Sequence, residues 1–558
     1  MMEKIIIYQV LPRLFGNQKA KPVENGTLQE NGCGKFNDFT ADRLKEIKQS
    51  GFTHVWFTGV IEHATQTDYS AYGIAKDHPE VVKGKAGSPY AIKDYYDVDP
   101  DLAEDVKDRM KEYQNLITRT HRAGLKVIMD FVPNHVARQY HSDSKPKNVK
   151  DLGEDDVTEV AFSNQNNFYY LPGQQFSPRF DTSKYAENPY IENPCKATGN
   201  DCFTNAPGMY DWYETVKLNY GVDYFNYRRN EFYPIPDTWT KMRDILLFWA
   251  KKKVDGFRCD MAEMVPVEFW AWAIPQVKEA YPEIIFIAET YNPAEYHRFI
   301  FDGKFDYLYD KVGLYDTLRG IMRNENACHN ITCCWQSLNG VSDHMLNFLE
   351  NHDEQRIASP FFAGNALKGR PSMIISSTIS KGPVMLYNGQ EFGEKADDKE
   401  GFSGQDGRTT IFDYWTIPSV HRYLKGKLSK EEKELQAFYS QLLNICRDEK
   451  AIAEGEFFDL EYANFNNPNF DTNKQYAYVR KFEKEMLLVL VNFEDNDKKV
   501  GLNLPQHAFD YLQIPTEKEI EYTNLFTGAK GKKILSPTSQ IEINVKANNG
   551  VIFKVTVD

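Results

Sequence analysis

The stretch VDGFRCD (254–260) is a short apolar run that ends in an aspartate, and EIIFIAE (283–289) and HMLNFLENHD (344–353) also end in a carboxylate. Each run has the length and composition of a buried strand. In a barrel of parallel strands the C-terminal strand ends gather at one mouth, where such barrels carry their active sites. We therefore interpret the three acids as one catalytic constellation. They are Asp260, Glu289 and Asp353.

Further apolar runs complete a set of eight candidate strands, which alternate with stretches of helical period. This alternation predicts an α/β fold, a (β/α)8 TIM barrel. The candidate strands are 5–10, 54–59, 125–132, 254–260, 283–289, 305–310, 345–350 and 383–389. The helical patterns are 40–50, 102–123, 237–252, 266–280, 354–379 and 431–449, with a weaker one at 312–323.

Two long segments break this alternation. Residues 136–236 are rich in Asn, Pro, Gly and Tyr, and no ordinary loop in a compact domain is that long. We predict an inserted subdomain after the third strand, on the active-site face. Residues 453–558 contain short alternating runs separated by Asn, Asp and Gly, which predicts a C-terminal antiparallel β-sandwich. The barrel domain then comprises 1–135 and 237–452.

Composition limits the classes of partner. The 558 residues carry a formal net charge of −14 with a pI near 5.5 and no basic block, so the surface should repel nucleic acid and anionic membranes. The chain has 33 Tyr, 36 Phe and 8 Trp. Neutral sugars are often held by apolar ring faces flanked by polar groups, so a neutral carbohydrate substrate fits this composition.

The N-terminal stretch MMEKIIIYQVLPRLF is too short for a secretory or membrane-spanning segment and lacks a small-residue cleavage site. It predicts a first barrel strand in a cytoplasmic protein, although a chain from which a signal peptide had been removed would look the same. The eight cysteines show no metal-binding spacing. Free thiols are favoured, and a bridge between Cys195 and Cys202 is the alternative for an exported protein.

Four segments at predicted strand ends resemble the ordered motifs of the α-amylase family of glycoside hydrolases, glycoside hydrolase family 13. They are DFVPNH (130–135), GFRCDMAE (256–263), IAET (287–290) and LENHDEQR (349–356). The resemblance covers nearly the whole chain, including the order of barrel, inserted subdomain and C-terminal β-domain. It implies a hydrolase that cleaves α-1,4-glucosidic bonds in maltodextrins or starch-like α-glucans with retention of configuration.

The resemblance also implies roles for the three acids. Asp260 matches the nucleophile, Glu289 the general acid and base, and Asp353 the carboxylate that distorts and holds the sugar. Retaining glycosidases need two carboxyl groups about 5–5.5 Å apart. Arg258 lies on the same side of its strand as Asp260 and is expected to keep it ionised, while burial is expected to keep Glu289 protonated. A purely structural pair of Arg258 and Asp260 is the alternative.

Further residues match the family's substrate-binding positions. His135 and His352 resemble the histidines that hydrogen-bond the sugar on the non-reducing side of the cut, and Tyr90 resembles the tyrosine that stacks on it; Arg258 joins this set. Structural histidines and a loop-packing tyrosine are the alternatives.

Nearby polar residues are given supporting roles. Asp130 and Asn134 are expected to brace the site through hydrogen bonds. Asp94 and Asp97 are expected to be surface or turn acids, and a role in recognising the chain end is the alternative.

The segment TVKLN (215–219) departs from standard α-amylases, which often carry a calcium-binding Asp where Lys217 stands. An ammonium group cannot ligate calcium and can take its place electrostatically. The lysine resembles the motif of neopullulanases and cyclomaltodextrinases, which act on short or cyclic α-glucans. We predict no cofactor and no calcium at the usual family site, while calcium elsewhere stays open.

Two other segments concern the shape of the cleft. Glu263 and Met264 differ from the Lys-His pair of classical amylases, which favours maltodextrins over long starch as substrates. The segment GRTTIFDYW (407–415) is predicted either to wall the cleft or to pack the barrel mouth.

Two alternatives to hydrolysis remain at this stage. A transglycosylase or isomerase on the same scaffold would use the same acids, with a sugar hydroxyl replacing water. A non-catalytic binding or transporter-partner relative is disfavoured because all three acids are present.

Overall fold

The computed structural model describes residues 3–557, and eight parallel strands form its central sheet. Each strand is hydrogen-bonded to its neighbour in sequence, and the eighth pairs with the first. A single parallel bridge between Asn347 and Val384 joins the seventh to the eighth and closes the ring. The predicted barrel and its eight strands are therefore confirmed. The strands are Ile6–Val10, His54–Phe57, Lys126–Phe131, Gly256–Cys259, Ile285–Ala288, Tyr307–Tyr309, Met345–Leu346 and Val384–Tyr387.

Helices follow the barrel strands. The α-helices of six or more residues in this domain are Ala41–Gln49, Arg109–Arg122, Asp237–Lys251, Val267–Ala280, Tyr296–Phe301, Asp316–Met322, Asn330–Ser337, Gly369–Thr378, Pro418–Leu424 and Lys430–Asp448. A π-helical turn, Lys311–Tyr315, precedes Asp316–Met322. Within residues 3–557, no helix has both the length and the apolar character that crossing a membrane requires.

The helix predicted over 354–379 forms only at its C-terminal end, as Gly369–Thr378. Residues 354–365 make turns instead. Pro360 cannot donate a backbone hydrogen bond and Gly364 has a left-handed φ of +66°, so helical geometry is interrupted twice. The prediction over this segment was therefore wrong in its first half.

The segment between the second and third barrel strands has no counterpart in the predicted alternation of strands and helices. It contains an antiparallel hairpin of Ile61–His63 with Ile92–Val98, both fully buried. Tyr90 lies just before the second of these strands. The hairpin thus brings a loop residue to the barrel mouth.

The inserted subdomain has little regular structure. Its strands are short pairs: His135–Ala137 with Thr215–Lys217, Tyr170–Leu171 with Cys195–Lys196, and Val222–Asp223 with Arg229–Asn230. In place of long β-ladders, the buried Arg138 connects segments of the subdomain, since its guanidinium contacts Glu192 at 2.7 Å and Thr198 at 2.7 Å. Cys195 is buried in a small apolar cluster and Cys202 is partly exposed, and both are thiols, as are the other six cysteines.

The C-terminal domain is built on a six-stranded antiparallel sheet. Its strand order is Glu456–Asp459, Gln475–Phe482, Glu485–Asn492, Asn549–Thr556, Lys518–Asn524 and Lys530–Leu535. A smaller sheet of Lys498–Leu502 and Ile541–Val545 and the helix Gln506–Leu512 complete it.

The strand Glu485–Asn492 has an almost continuously apolar sequence, and its position between two apolar cores explains why. Leu487 and Val489 belong to the apolar core shared with the barrel, whereas Leu488 and Leu490 belong to the core inside the C-terminal domain. Because side chains alternate along a strand, both faces of this sheet are buried. The C-terminal domain is therefore fixed to the barrel through one face of its larger sheet.

Candidate active site

Arg258 is fully buried at the barrel mouth and contacts carboxylates from three strand ends. Its Nη1 lies 2.7 Å from Asp260 Oδ1 and 3.2 Å from Asp130 Oδ1, and its Nη2 lies 2.8 Å from Glu289 Oε2. Strand register explains this convergence, because Arg258 stands opposite Asp130 on one side and opposite Ile287, two residues before Glu289, on the other. The structure thus brings the predicted Asp260 and Glu289 to one guanidinium group.

The environment of Asp260 differs from the expectation that Arg258 keeps it ionised. Burial raises the pKa of Asp260 well above its usual range, and the neighbouring Glu289 and Asp130 raise it further, while Arg258 opposes the shift. Arg258 acts in the expected direction, but the cost of burying several carboxylates together exceeds the effect of one cation. The acids of this site therefore titrate as a group rather than singly.

Glu289 is surrounded by hydrogen-bond donors. Its Oε2 accepts a hydrogen bond from the Met261 backbone N–H at 2.7 Å, and its Oε1 accepts one from the Tyr291 hydroxyl at 2.7 Å. Met261 follows Asp260 directly and has left-handed backbone angles, with φ 44° and ψ 41°. The turn at Met261 therefore connects the backbone that follows Asp260 to the side chain of Glu289.

Asp353 lies on the opposite side of the site and is the most solvent-accessible of the three acids, with a side chain 45% exposed. Its Oδ2 is 3.0 Å from His352 Nε2, and its backbone is fixed by Asn351 and by Arg408, which donates to the Asp353 carbonyl at 2.6 Å. Partial burial disfavours its ionisation, but His352, Arg258 and Arg408 lower the pKa of Asp353 to about 2. Asp353 is therefore anionic at neutral pH.

Tyr90 and His352 form one rigid unit. Their rings stack at 5.1 Å between centroids, and the Tyr90 hydroxyl lies 2.6 Å from His352 Nε2. The other ring nitrogen of His352 is 2.8 Å from Gln9 Nε2, so the imidazole is held from both sides. Both residues lie where the sequence predicted them, beside Asp353.

His135 lies across the site from His352, in contact with the inserted subdomain. Its ring centroid is 5.1 Å from that of Trp212, and its Nε2 is 3.9 Å from Asp260 Oδ2. Burial, aided by the charges of Lys217 and Lys83, lowers the pKa of His135 to about 3. The imidazole is thus neutral at physiological pH and can both donate and accept one hydrogen bond.

Asp130 makes the bracing contacts that the sequence suggested. Its carboxylate accepts from Trp56 Nε1 at 2.9 Å and lies 3.5 Å from the Tyr90 hydroxyl. In contrast, Asp94 and Asp97 are buried rather than surface acids, because they lie on the buried hairpin strand. Asp94 accepts from the Ser142 hydroxyl at 2.6 Å and Asp97 pairs with Arg109 at 2.6 Å, so that expectation was wrong.

A cleft of about 290 Å³ opens above these groups. Tyr90, His135, Asp260, Glu289 and Asp353 line it, whereas Arg258 and His352 lie beneath the lining. Sequence analysis missed several lining residues. These are contributed by the segment between the second and third strands, by the inserted subdomain and by the strand-end loops. They include Lys83, Ser88, Trp212, Glu214 and Tyr291.

Only part of this lining carried a sequence signal. Tyr291 stands two residues after Glu289, so the strand period could have placed it on the same side. Trp212 and Glu214 lie in a segment without periodicity, and their position depends on contacts such as the 2.9 Å ion pair of Glu214 with Lys83. Ile411 and Phe412 line the cleft while Tyr414 and Trp415 are buried, so the 407–415 segment does both of the things proposed for it.

Lys217 lies at the junction between barrel and inserted subdomain. Its Nζ donates to Asn134 Oδ1 at 2.7 Å and pairs with Asp201 Oδ1 at 2.6 Å, and the ammonium also lies 5.4 Å from the Tyr224 ring centroid. Asn134 Nδ2 donates to the Gly199 carbonyl at 2.8 Å. The oxygen that a cation would need from Asn134 is therefore occupied by a lysine.

Family models match almost the whole chain. The model described as alpha amylase, catalytic domain, matches residues 9–453, and that described as alpha amylase, C-terminal all-beta domain, matches residues 465–556.

Individual relatives are distant but cover most of the chain. Alpha-amylase 2 of Dictyoglomus thermophilum is 23% identical over 507 residues, which is 90% of this chain and 71% of that protein. Neopullulanase 2 of Thermoactinomyces vulgaris is 21% identical over 520 residues, covering 90% of this chain and 72% of its own.

Solved structures share the architecture. A noncanonic maltogenic alpha-amylase from Thermotoga neapolitana superposes with a TM-score of 0.63 at 20% identity and covers 99% of both chains. An alpha-amylase from Geobacillus thermoleovorans, complexed with acarbose, gives a TM-score of 0.65 at 18% identity over 99% of this chain and 98% of its own. These likenesses show the fold.

Proposed function

Because this chain belongs to the α-amylase family of glycoside hydrolases, we propose that it cleaves α-1,4-glucosidic bonds of maltodextrins with retention of configuration. The observation that carries the proposal is the single guanidinium of Arg258, which contacts both Asp260 and Glu289 at the floor of one open cleft. Two carboxyl groups on one guanidinium are compatible with the spacing of about 5–5.5 Å between the nucleophile and the acid of a retaining enzyme.

In the proposed reaction Glu289 gives up and then regains one proton, while Asp260 forms and then breaks a covalent bond. Glu289 protonates the glycosidic oxygen as Asp260 attacks the anomeric carbon, which releases the first sugar and leaves a covalent glycosyl-aspartate. Glu289 then removes a proton from water, the water oxygen attacks the same carbon, and Asp260 departs. The raised pKa of Asp260 reflects the resting site, where buried acids share few cations, and productive catalysis needs the proton on Glu289.

The remaining cleft residues are proposed to bind sugar. Asp353 is anionic and accessible and can accept hydrogen bonds from two sugar hydroxyls, while Tyr90 and Trp212 offer ring faces. His135 lines the same space and supplies a ring nitrogen, while the buried His352 holds Tyr90 and Asp353 in place. Solved relatives are described in complex with acarbose, maltose and maltotriose, which supports an oligosaccharide substrate here.

We also propose that no calcium binds between Asn134 and the inserted subdomain, because Lys217 holds that oxygen and its ion pair with Asp201. No group of three or more acidic, His or Cys side chains within residues 3–557 has metal-binding geometry. A cytoplasmic location is proposed from the eight unpaired cysteines, which suit a reducing compartment.

The test is a time course on maltoheptaose, pullulan and cyclodextrin, with the anomer of the first product followed by proton NMR. We expect maltooligosaccharides shorter than the substrate, released first as the α-anomer. Release of the β-anomer would contradict the retaining assignment, and products longer than the substrate would indicate that transfer to sugar dominates over hydrolysis.

A further inference from the structure

Glu289 is held at both oxygens, and the two contacts differ in kind. Oε2 receives the Met261 backbone N–H and faces Arg258 Nη2 at 2.8 Å, so it is fixed by groups that cannot move without moving the barrel strand. Among residues 3–557, Oε1 accepts a single hydrogen bond, from the Tyr291 hydroxyl at 2.7 Å, and Tyr291 itself lines the cleft. Because Oε2 faces two donors and Oε1 faces one, the transferable proton is better placed on Oε1, the atom that Tyr291 touches.

The position of Tyr291 is set by a second carboxylate. Glu263 Oε2 accepts backbone hydrogen bonds from Tyr291 at 2.9 Å and from Asn292 at 3.0 Å. Glu263 lies three residues after Asp260, on the short 3-10 turn Ala262–Met264. The turn after the fourth strand therefore holds the loop after the fifth strand by two charge-assisted hydrogen bonds.

We propose that Tyr291 is a positioning residue for Glu289, and that Glu263 holds Tyr291 in place through the backbone of the 291–292 loop. The proposal rests on the function proposed above, since it concerns how the acid presents its proton. The hydroxyl donates to Oε1 whenever that oxygen is unprotonated, as in the structure, and so fixes the orientation in which the carboxyl group takes up and delivers its proton. Tyr291 does not itself exchange a proton with the substrate.

The test compares Tyr291→Phe with the unaltered protein on two substrates. Maltotriose has a poor leaving group that must be protonated, whereas fluoride leaves from α-maltosyl fluoride with little help from an acid. We expect kcat/KM to fall about tenfold on maltotriose and less than threefold on the fluoride, because a hydrogen bond to a charged group contributes about this factor. The alkaline limb of kcat/KM should move to higher pH by about half to one unit, since the lost bond favoured the carboxylate.

Tyr296→Phe is the matched control. Tyr296 is a buried tyrosine in the next turn of the same segment, and its hydroxyl has no hydrogen-bond partner among the described residues. Removing that hydroxyl should change neither substrate's kcat/KM by more than about twofold. Equal losses of Tyr291→Phe on both substrates, or an unshifted pH profile, would overturn the proposal.

Glu263 provides the second arm. Glu263→Ala should reproduce the selective loss on maltotriose, Glu263→Gln should restore most of it through its amide oxygen, and Tyr291→Phe combined with Glu263→Ala should lose no more than the larger single loss. Additive losses would show that Glu263 acts by another route. A parent protein inactive on both substrates would refute the proposed function itself, whereas an active parent with an unaffected Tyr291→Phe variant would refute only this inference.

Discussion

Two buried cations lie at opposite sides of His135 and organise different regions of the molecule. At the barrel mouth, Arg258 faces three carboxylates that all come from strand ends. At the junction with the inserted subdomain, Lys217 faces one carboxylate and one amide oxygen. The mouth therefore has more acids than cations, whereas the charges at the junction are balanced.

This difference in charge balance distinguishes the catalytic role proposed for the barrel mouth from the structural role of the junction. A guanidinium has several donors in a fixed plane and can contact two acids at once, while an ammonium acts as a compact point charge. The excess of acids around Arg258 lets one carboxyl group keep a proton beside an ionised one, and glycoside cleavage requires such a pair. The balanced junction holds no such proton, so it serves to attach the subdomain that carries Trp212.

The largest expected effect comes from removing one acid at the mouth. Asp260→Asn keeps the shape of the side chain but abolishes the nucleophile, and kcat on maltotriose should fall by at least about a thousandfold. Asp302→Asn, at an exposed aspartate after the helix Tyr296–Phe301, is the control and should leave kcat unchanged. Turnover of Asp260→Asn within tenfold of the unaltered protein would show that the nucleophile is misassigned.

The next effect tests the junction. Lys217→Met removes the charge and leaves Asn134 and Asp201 without their partner, so the free energy of unfolding should fall by about 2–3 kcal/mol. Lys150→Met breaks the exposed pair with Asp155 in the same subdomain and should leave the free energy of unfolding nearly unchanged, because both partners are exposed to solvent. Denaturant titrations measure both.

Metal dependence sharpens the same comparison. The melting temperature of the unaltered protein should be the same with a chelator and with added calcium, because Lys217 already supplies the positive charge. A chelator that lowered it, or equal costs for the two lysine variants, would contradict the assignment of Lys217 as the structural cation.

The smallest effect concerns His135, which lies between the two regions. Its pKa is about 3 in the folded protein and about 6.5 in an unfolded chain, so below pH 6.5 only the unfolded chain takes up the proton. Stability is therefore lost as pH falls, and between pH 7 and pH 5 the unaltered protein should lose about 2 kcal/mol more than His135→Gln. Parallel stability curves for the two proteins would show that His135 is not buried as a neutral ring.

The barrel and its acids could be predicted because their signals are local. Each strand is a short apolar run, and each acid follows directly at its end, so position in the sequence fixes position at the mouth. The segment 354–379 was overextended because its C-terminal half is apolar and periodic, while Pro360 and Gly364 decide its first half. Local pattern was sufficient where a single element determined the outcome.

The rest of the site depends on contacts between distant segments. Asp94 and Asp97 look like turn acids in DYYDVDP, yet their strand is buried and Ser142 and Arg109 satisfy them. Burial, together with acids at three other strand ends, raises the pKa of Asp260, and Glu263 holds the backbone of Tyr291 by a hydrogen bond. Such properties depend on all the neighbours of a residue in the folded protein, and a local sequence pattern does not encode them.

The partial exposure of Asp353 has a consequence for how the catalytic centre is completed. Asp260 and Glu289 are already enclosed by protein, but nearly half of the Asp353 side chain is in contact with water. A bound glucose ring would cover Asp353, so the ligand itself would complete the enclosure of the three acids. Electrostatic interactions in the site would then strengthen only once the sugar is bound, so that bond cleavage would depend on a correctly bound substrate.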